Sequence, residues 1–233
     1  MPKIPCIYRG CEGNFVYLQR NLLDMSRGKF IVIEGVDGSG KTTQIERLQK
    51  RFKANNWKYH DTWEPTDGPI GSLIRNILNR RIVADETTIA ALYLADRLDH
   101  IQNPINGMEK FLSEGTHVIA SRYYFSSFAY QVTDKVSLNW LLQAHQPVRD
   151  LLRPDLNIFI DISPDESMRR LTAGRSFLDL FETKEKITAT RDAYHTAFDR
   201  IGSEENLVII DGMQSEEEIA VEIWEKVEHL MKK

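Results

Sequence analysis

The stretch Phe30-Ile-Val-Ile-Glu-Gly-Val-Asp-Gly-Ser-Gly-Lys-Thr-Thr-Gln44 decides the fold of this chain. It opens with an apolar run of strand length that ends in Glu34. Gly35-Val36-Asp37-Gly38-Ser39-Gly40-Lys41-Thr42 follows and fits the pattern G-x-x-x-x-G-K-[ST]. Beyond it Ile45, Leu48 and Phe52 recur at the spacing of one helical face. Strand, glycine loop and helix thus come in the order that a phosphate-binding loop requires. Ordinary residue frequencies generate the bare pattern in a chain of this length roughly one time in a hundred, and the flanking context makes coincidence rarer.

The chemistry accounts for each residue type. Glycines let successive backbone N–H groups turn toward phosphate oxygens, Lys41 brings a mobile positive charge to the β and γ groups, and Thr42 offers a hydroxyl to Mg²⁺. The helix that opens near Thr42 adds its positive dipole end. Gly35, Val36, Asp37, Gly38, Ser39, Gly40, Lys41, Thr42 and Thr43 are therefore the expected ATP-binding residues.

Downstream, short apolar runs alternate with longer helical stretches, the pattern of parallel βαβ construction and an α/β fold. Strands are expected at Phe30–Glu34, Trp57–Thr62, His117–Ser121, Leu156–Asp161 and Leu207–Ile210, the second being the weakest because it is short and polar. Ile187, Arg191, Tyr194, Phe198 and Ile201 are spaced for a late helix. Ser163-Pro-Asp-Glu166 reads as a helix start, and Ser215 with Glu218 as a capping box before Ile219, Ile223, Val227 and Leu230. Residues 1–28 show no sustained period and read as an N-terminal extension, leaving 29–233 as one domain. In such a sheet, ligands gather beyond the carboxyl ends of the strands.

Bulk properties narrow the function. The chain has 233 residues, 42% of them hydrophobic, which suits one domain with a real core. A formal charge of -4 leaves no overall basic footprint, which argues against nucleic acid or an anionic membrane as the main partner. Both cysteines, Cys6 and Cys11, lie near the start, so the main body has neither a disulfide framework nor a multi-cysteine metal site. No apolar run approaches membrane-span length and no secretory signal is evident, so the chain reads as cytoplasmic.

Several segments in order resemble the thymidylate kinases: the opening Phe30–Gln44; Glu64-Pro65 followed by Pro69-Ile-Gly71 and Ile74-Arg75; Ala91-Leu-Tyr-Leu-Ala-Asp-Arg97; Ser121-Arg-Tyr-Tyr-Phe-Ser-Ser-Phe-Ala-Tyr-Gln131; and Arg153-Pro-Asp-Leu156. The resemblance implies a three-layer P-loop kinase fold: a five-stranded parallel sheet flanked by helices, with a short lid. It implies transfer of the ATP γ-phosphoryl group to dTMP, with Mg²⁺, in a homodimer. Tyr93 aligns with the aromatic residue that stacks on thymine, and Arg97 with the arginine that reads the ring edge. Arg75 and Arg122 fall near the acceptor phosphate, Asp37 beneath the acceptor sugar, and Glu64 in the second-strand loop. Tyr130 and Gln131 complete the acceptor pocket, with Ser126 and Ser127 either as its wall or simply at a helix start. The family usually has aspartate where Ser121 stands, which throws the metal shell onto Thr42 and either Asp37 or Glu182. Asp161 is a rival acidic candidate.

Some members of that family carry an arginine in the phosphate loop, whereas others have glycine there and deliver arginine from a lid; Gly38 puts this chain in the second group. The lid is expected at about 169–183, with Arg175, four residues before Asp179, over the transferring group and Arg170 as the other candidate. Lys41, Arg122 and Arg175 are thus the expected catalytic residues. Two other readings remain: a related P-loop kinase for another nucleotide or nucleoside, and a nucleotide-dependent switch. The chain lacks the N-K-x-D segment of a guanine-reading switch.

Overall fold

Phe30–Glu34 forms β1, and no side chain in it reaches solvent. Phe30 and Val32 point into one core while Ile31 and Ile33 point into the other, because strand side chains alternate. Burial on both faces explains why the run is continuously apolar. The computed structural model describes residues 27–174 and 183–232.

The remaining strands are β2 (Tyr59–Trp63), β3 (His117–Ser121), β4 (Leu156–Asp161) and β5 (Leu207–Asp211). They pair in parallel in the order β2-β3-β1-β4-β5. Crossovers run one way from β1 to β3 and β2 and the other way to β4 and β5, so the loop after β1 sits at the point where the winding reverses. That is where an open parallel sheet leaves a crevice for ligand.

Helices are α1 (Lys41–Ala54), α2 (Pro69–Leu78), α3 (Glu86–Gln102), α4 (Met108–Ser113), α5 (Tyr124–Tyr130), α6 (Leu138–Ala144), α7 (Gln146–Leu151), α8 (Pro164–Gly174), α9 (Lys184–Ile201) and α10 (Glu216–Met231). On one face of the sheet, Ile45, Leu48 and Phe52 of α1 pack with Ile219, Ile223 and Val227 of α10. On the other, Phe159, Tyr124, Phe125, Phe128, Tyr194 and Phe198 join β4, α5 and α9. The expected box at Ser215 forms, with the Glu218 side chain returning to the Ser215 backbone N–H.

Two expected boundaries move. The second strand starts at Tyr59 rather than Trp57, because the Trp57 N–H still bonds to Phe52 O in the turn closing α1, and its ring packs on Phe52 and Trp224. At the other boundary, Gly28, assigned to the extension, is buried, its N–H donating to Leu112 O at 2.8 Å. The expected lid begins inside α8; Arg175 and Glu182 lie outside the described residues.

Candidate active site

In the glycine loop, Lys41 Nζ donates to the carbonyls of Gly35 (3.0 Å) and Val36 (2.8 Å). Burial, helped by the nearby Arg122 cation, lowers the Lys41 ammonium to about 7, against the pull of Asp37 and Glu34. Helix α1 starts from Gly40, in the left-handed region at φ 91°, with no side chain capping its first turn. Those first N–H groups and the exposed Thr42 hydroxyl are therefore open to an anion, with Thr43 half-buried beside them. At Gly38, φ is 75° and a Cβ would stand 3.0 Å from Ser167 O, so a larger residue would be strained there and would crowd Ser167. Ser167 also pins the loop by donating to Asp37 O at 2.6 Å.

Beside the loop lies a cavity of about 790 Å³, lined by every residue expected to hold the acceptor: Asp37, Glu64, Arg75, Tyr93, Arg97, Arg122, Ser126, Tyr130 and Gln131. Pro65, from the Glu64-Pro65 segment, also lines it, as do Asn79, Arg80, Glu86, Ile89 and Thr133, which the sequence did not single out. Their chemistry is ordinary for a helix start or a turn, so no sequence signal marks them.

Arg122 follows β3 in a left-handed conformation, φ 70°, which is rare for a non-glycine residue and typical of functional sites. Its Nη2 donates to Asp37 Oδ1 (2.6 Å) and Tyr130 OH (3.1 Å), and the guanidinium lies 4.6 Å from the centre of the Tyr130 ring. Burial alone would raise the Asp37 carboxyl, but the Arg122 and Lys41 charges outweigh it and hold Asp37 below its usual range.

Arg97 on α3 is 1% exposed. Its Nε donates to Glu64 Oε2 (2.8 Å), Nη1 to Ser127 Oγ (2.9 Å), and Nη2 to Glu64 and to Tyr123 O (3.0 Å). A guanidinium has five N–H groups, so one on Nη1 remains for a ligand. Glu64, placed by sequence among substrate contacts, is committed to Arg97 and to His100 Nδ1 (3.1 Å). Although burial opposes it, Arg97 and His100 keep the Glu64 carboxyl below its usual range. Burial pushes the Tyr93 hydroxyl up to about 12, so it stays neutral at ordinary pH. Among the described residues the buried Gln131 Oε1 has no hydrogen-bond partner, an acceptor facing an unmet demand.

Arg75 is held in the loop it was expected to serve, donating to Pro65 O (3.0 Å) and Ser72 Oγ (3.1 Å) and pairing with Asp67 at 3.3 Å. Its neighbour Thr66 is in turn fixed by the 1%-exposed Asp96, through N–H (2.8 Å) and Oγ1 (2.6 Å). Asp96, His100, Glu34 and Tyr194 are the supporting residues that sequence reading passed over. Each looked like an ordinary helix or strand residue, and its partner lies tens of positions away.

Two alternatives weighed from sequence are paired within the protein. Asp161 is bound at both oxygens by Arg191, at 2.6 and 2.7 Å. Arg170 is tied to Glu166 (2.6 Å) and to Gly212 O (2.9 Å).

Fold and site together define a P-loop phosphotransferase with an acceptor cavity opening beside its phosphate loop. The sequence model described as thymidylate kinase matches residues 33–223. A "probable thymidylate kinase" of Pyrococcus horikoshii is 36% identical over 208 residues, 87% of this chain and 97% of the relative. Proteins of the same description from Methanosphaera stadtmanae and Methanocaldococcus jannaschii are 34% and 33% identical, covering 85% and 83% of this chain and 96% and 93% of the relatives. The chain belongs to the thymidylate kinase family.

Proposed function

We propose that this protein transfers the γ-phosphoryl group of ATP to the 5′-phosphate of dTMP, giving ADP and dTDP, with Lys41, Arg122 and Arg175 as its catalytic cations. The observation that carries this reading is the meeting of the glycine loop and the acceptor cavity at Asp37, which belongs to both and holds Arg122 at 2.6 Å. Lys41, freed from its own loop carbonyls, takes the ATP phosphates. Arg122 grips the acceptor phosphate, with Arg75 near it, and the Asp37 carboxylate accepts from the sugar 3′-hydroxyl. Catalysis is then positioning and charge compensation between two polyanions. The attacking group is already an ionised phosphate, so no side chain need act as a strong base.

At the other end, Tyr93 supplies the flat face for the ring. The spare N–H of Arg97 suits a ring carbonyl, and Gln131 Oε1 suits a ring N–H. Thymine offers that pair, whereas cytosine presents the opposite pattern.

The residues fit a magnesium ion in a minimal way. Among the described residues no group of three or more His, Cys, Asp or Glu could hold a metal, and Ser121 contributes a hydroxyl where a carboxylate is usual. Mg²⁺ commonly takes its ligands from nucleotide phosphates and water, so the exposed Thr42 hydroxyl, with Glu182 from the lid segment, can complete a shell. When bound, the ion would draw charge from the nucleotide phosphates.

The protein acts in the cytoplasm; among the described residues no helix is long and apolar enough to cross a membrane. It works as a homodimer, a reading supported by exposed Trp63, Leu73, Ile82 and Val83 around β2 and α2. Light scattering on the purified protein tests the dimer. ADP release with Mg-ATP against dTMP, dUMP, dCMP, dGMP, AMP and thymidine at matched concentrations tests the reaction. dTMP should dominate. Preference for another acceptor would replace the substrate, and turnover indifferent to every acceptor would replace the kinase with a nucleotide switch.

A further inference from the structure

The rare backbone conformation of Arg122 needs something to hold it, and the support comes from behind the site. Helix α5 begins two residues later without a side-chain cap of its own. Glu34, 89 residues before Tyr123, supplies the missing cap: its Oε1 accepts from the backbone N–H groups of Tyr123 (2.8 Å) and Ser126 (3.2 Å). Its Oε2 accepts from Ser126 Oγ (2.6 Å) and Tyr194 OH (3.0 Å). Those two hydroxyls in turn accept from Nη1 of Arg122, at 3.3 and 3.5 Å. A buried carboxylate on β1 is thereby linked to the guanidinium by two parallel hydroxyl bridges, one from α5 and one from α9.

The two anchors of Arg122 are unequal. Asp37, on the cavity side, is 40% exposed at its side chain, whereas Glu34 is wholly buried. An acceptor phosphate and a sugar hydroxyl would compete for the groups around Asp37. They cannot reach Glu34. The direction of the guanidinium during the reaction must therefore be kept from the buried side.

We propose that Glu34 is a positioning residue for phosphoryl transfer, acting through Ser126, Tyr194 and the start of α5 to aim Arg122 at the acceptor phosphate. This rests on the reading of Arg122 as the residue that grips that phosphate. Glutamine has the shape of glutamate but carries no charge, and its NH2 would meet the two hydroxyls as a donor and force both to turn and accept, so Glu34→Gln removes the anionic acceptor that orders the bridges without opening a hole.

The test is a mutant cycle on the full chain. Glu34→Gln, Tyr194→Phe, Arg122→Lys and the doubles Glu34→Gln/Arg122→Lys and Tyr194→Phe/Arg122→Lys are assayed for kcat and KM with dTMP, and for binding of a fluorescent ATP analogue. Glu34→Gln should lower kcat/KM for dTMP by about 10- to 100-fold, the scale of a small misplacement of a reacting group, and leave analogue affinity unchanged. Tyr194→Phe should do the same more weakly. In the Arg122→Lys background both losses should largely vanish, because the residue through which they act has already gone. Losses that multiply in the doubles, unaltered kcat/KM in both singles, or analogue affinity falling in step with dTMP would each overturn the role of Glu34. If Glu34→Gln does not fold, Tyr194→Phe, which removes one hydroxyl, decides by the same criteria. The wild type separates this from the function itself: ADP release that does not depend on dTMP would overturn the underlying reaction, whereas a multiplicative cycle in a dTMP-dependent enzyme refutes the positioning alone.

Discussion

Replacing Arg97 by methionine should both destabilise the protein and blunt its recognition of dTMP, and the structure separates the two effects. Arg97 and Glu64 are 1% and 3% exposed at their side chains and face each other directly. Methionine fills most of the volume but leaves the Glu64 carboxylate buried with only His100 beside it, while the Tyr123 carbonyl keeps its bond from the Ser126 N–H at 3.1 Å. Removing one partner of a buried pair costs about 3–5 kcal/mol, because the remaining charge stays desolvated. In a domain of this size each kcal/mol moves Tm by about 2–4 °C, so Arg97→Met should melt roughly 6–20 °C below the wild type. Urea unfolding followed by fluorescence gives the free energy directly. The double variant Arg97→Met/Glu64→Gln should recover a substantial part of the loss, since it removes the stranded charge. At a temperature where both variants stay folded, KM for dTMP should rise in each, because the spare guanidinium N–H is missing from both. A single variant within about 1 kcal/mol of wild type, well below the buried-pair cost, or a double variant no more stable than the single, would refute the stranded-charge account.

Three further outcomes follow from particular contacts. A Cβ on Gly71 would meet the backbone carbonyl of Thr66 at 2.0 Å, so Gly71→Ala must displace the loop that holds Arg75. It should cost about 1–3 kcal/mol, as overpacking does, and raise KM for dTMP more than KM for ATP; a variant with wild-type stability and KM would show that the loop yields freely. His145 is fully buried, and burial, aided by the Arg97 charge, drops its imidazole to about 3. The unfolded chain takes up that proton below about 6.5, so from there down to about 3 the unfolded state holds more protons and stability falls with pH. At pH 5 this site should account for about 2 kcal/mol of lost stability, read as the difference in urea midpoints between wild type and His145→Leu from pH 7.5 to 5; parallel pH profiles would exclude it. Arg175→Ala should lower turnover at saturating substrates by on the order of 10³, with ATP affinity little changed, and unaltered turnover would remove the lid assignment.

The sheet was legible because its strands are short runs bounded by loops, continuously apolar where β1, β3 and β4 are buried on both faces and still apolar in the half-exposed edge strand β5, so four of the five were located within a residue at either end. The edge strand β2 misled at its start: Trp57 belongs to the aromatic packing that closes α1, and an apolar residue at such a junction reads as strand. Local chemistry also sufficed for the glycine loop and the Ser215 box, whose partners are a few residues apart. The cavity residues needed more, since periodicity says only that Tyr93 and Arg97 share a helix face; resemblance supplied their roles. What no local rule could supply was the buried support. Glu34 reads as the polar end of a strand and Tyr194 as a core aromatic, and their hydrogen bond spans 160 residues.

Two buried carboxylates, Glu34 at the end of β1 and Glu64 just past β2, give the cavity its division of labour. Glu64 meets its arginine directly, so its charge and that of Arg97 offset each other and the base end presents a rigid, nearly neutral donor and acceptor pair. Glu34 closes β1 and meets Arg122 only through hydroxyls; burial holds its carboxyl above the usual range, even though the Ser126 hydrogen bond and the Arg122 charge pull it down. The bridges orient Arg122 while leaving its charge matched directly, among the described residues, by the half-exposed Asp37 alone. That asymmetry is what phosphoryl transfer between two anions requires. A ring is best selected by fixed hydrogen bonds with little net field, whereas a phosphate must find a cation whose charge has not already been cancelled in the protein's interior. Had Glu34 contacted Arg122 as Glu64 contacts Arg97, the guanidinium would be equally well placed and far less able to draw a second anion toward the nucleotide.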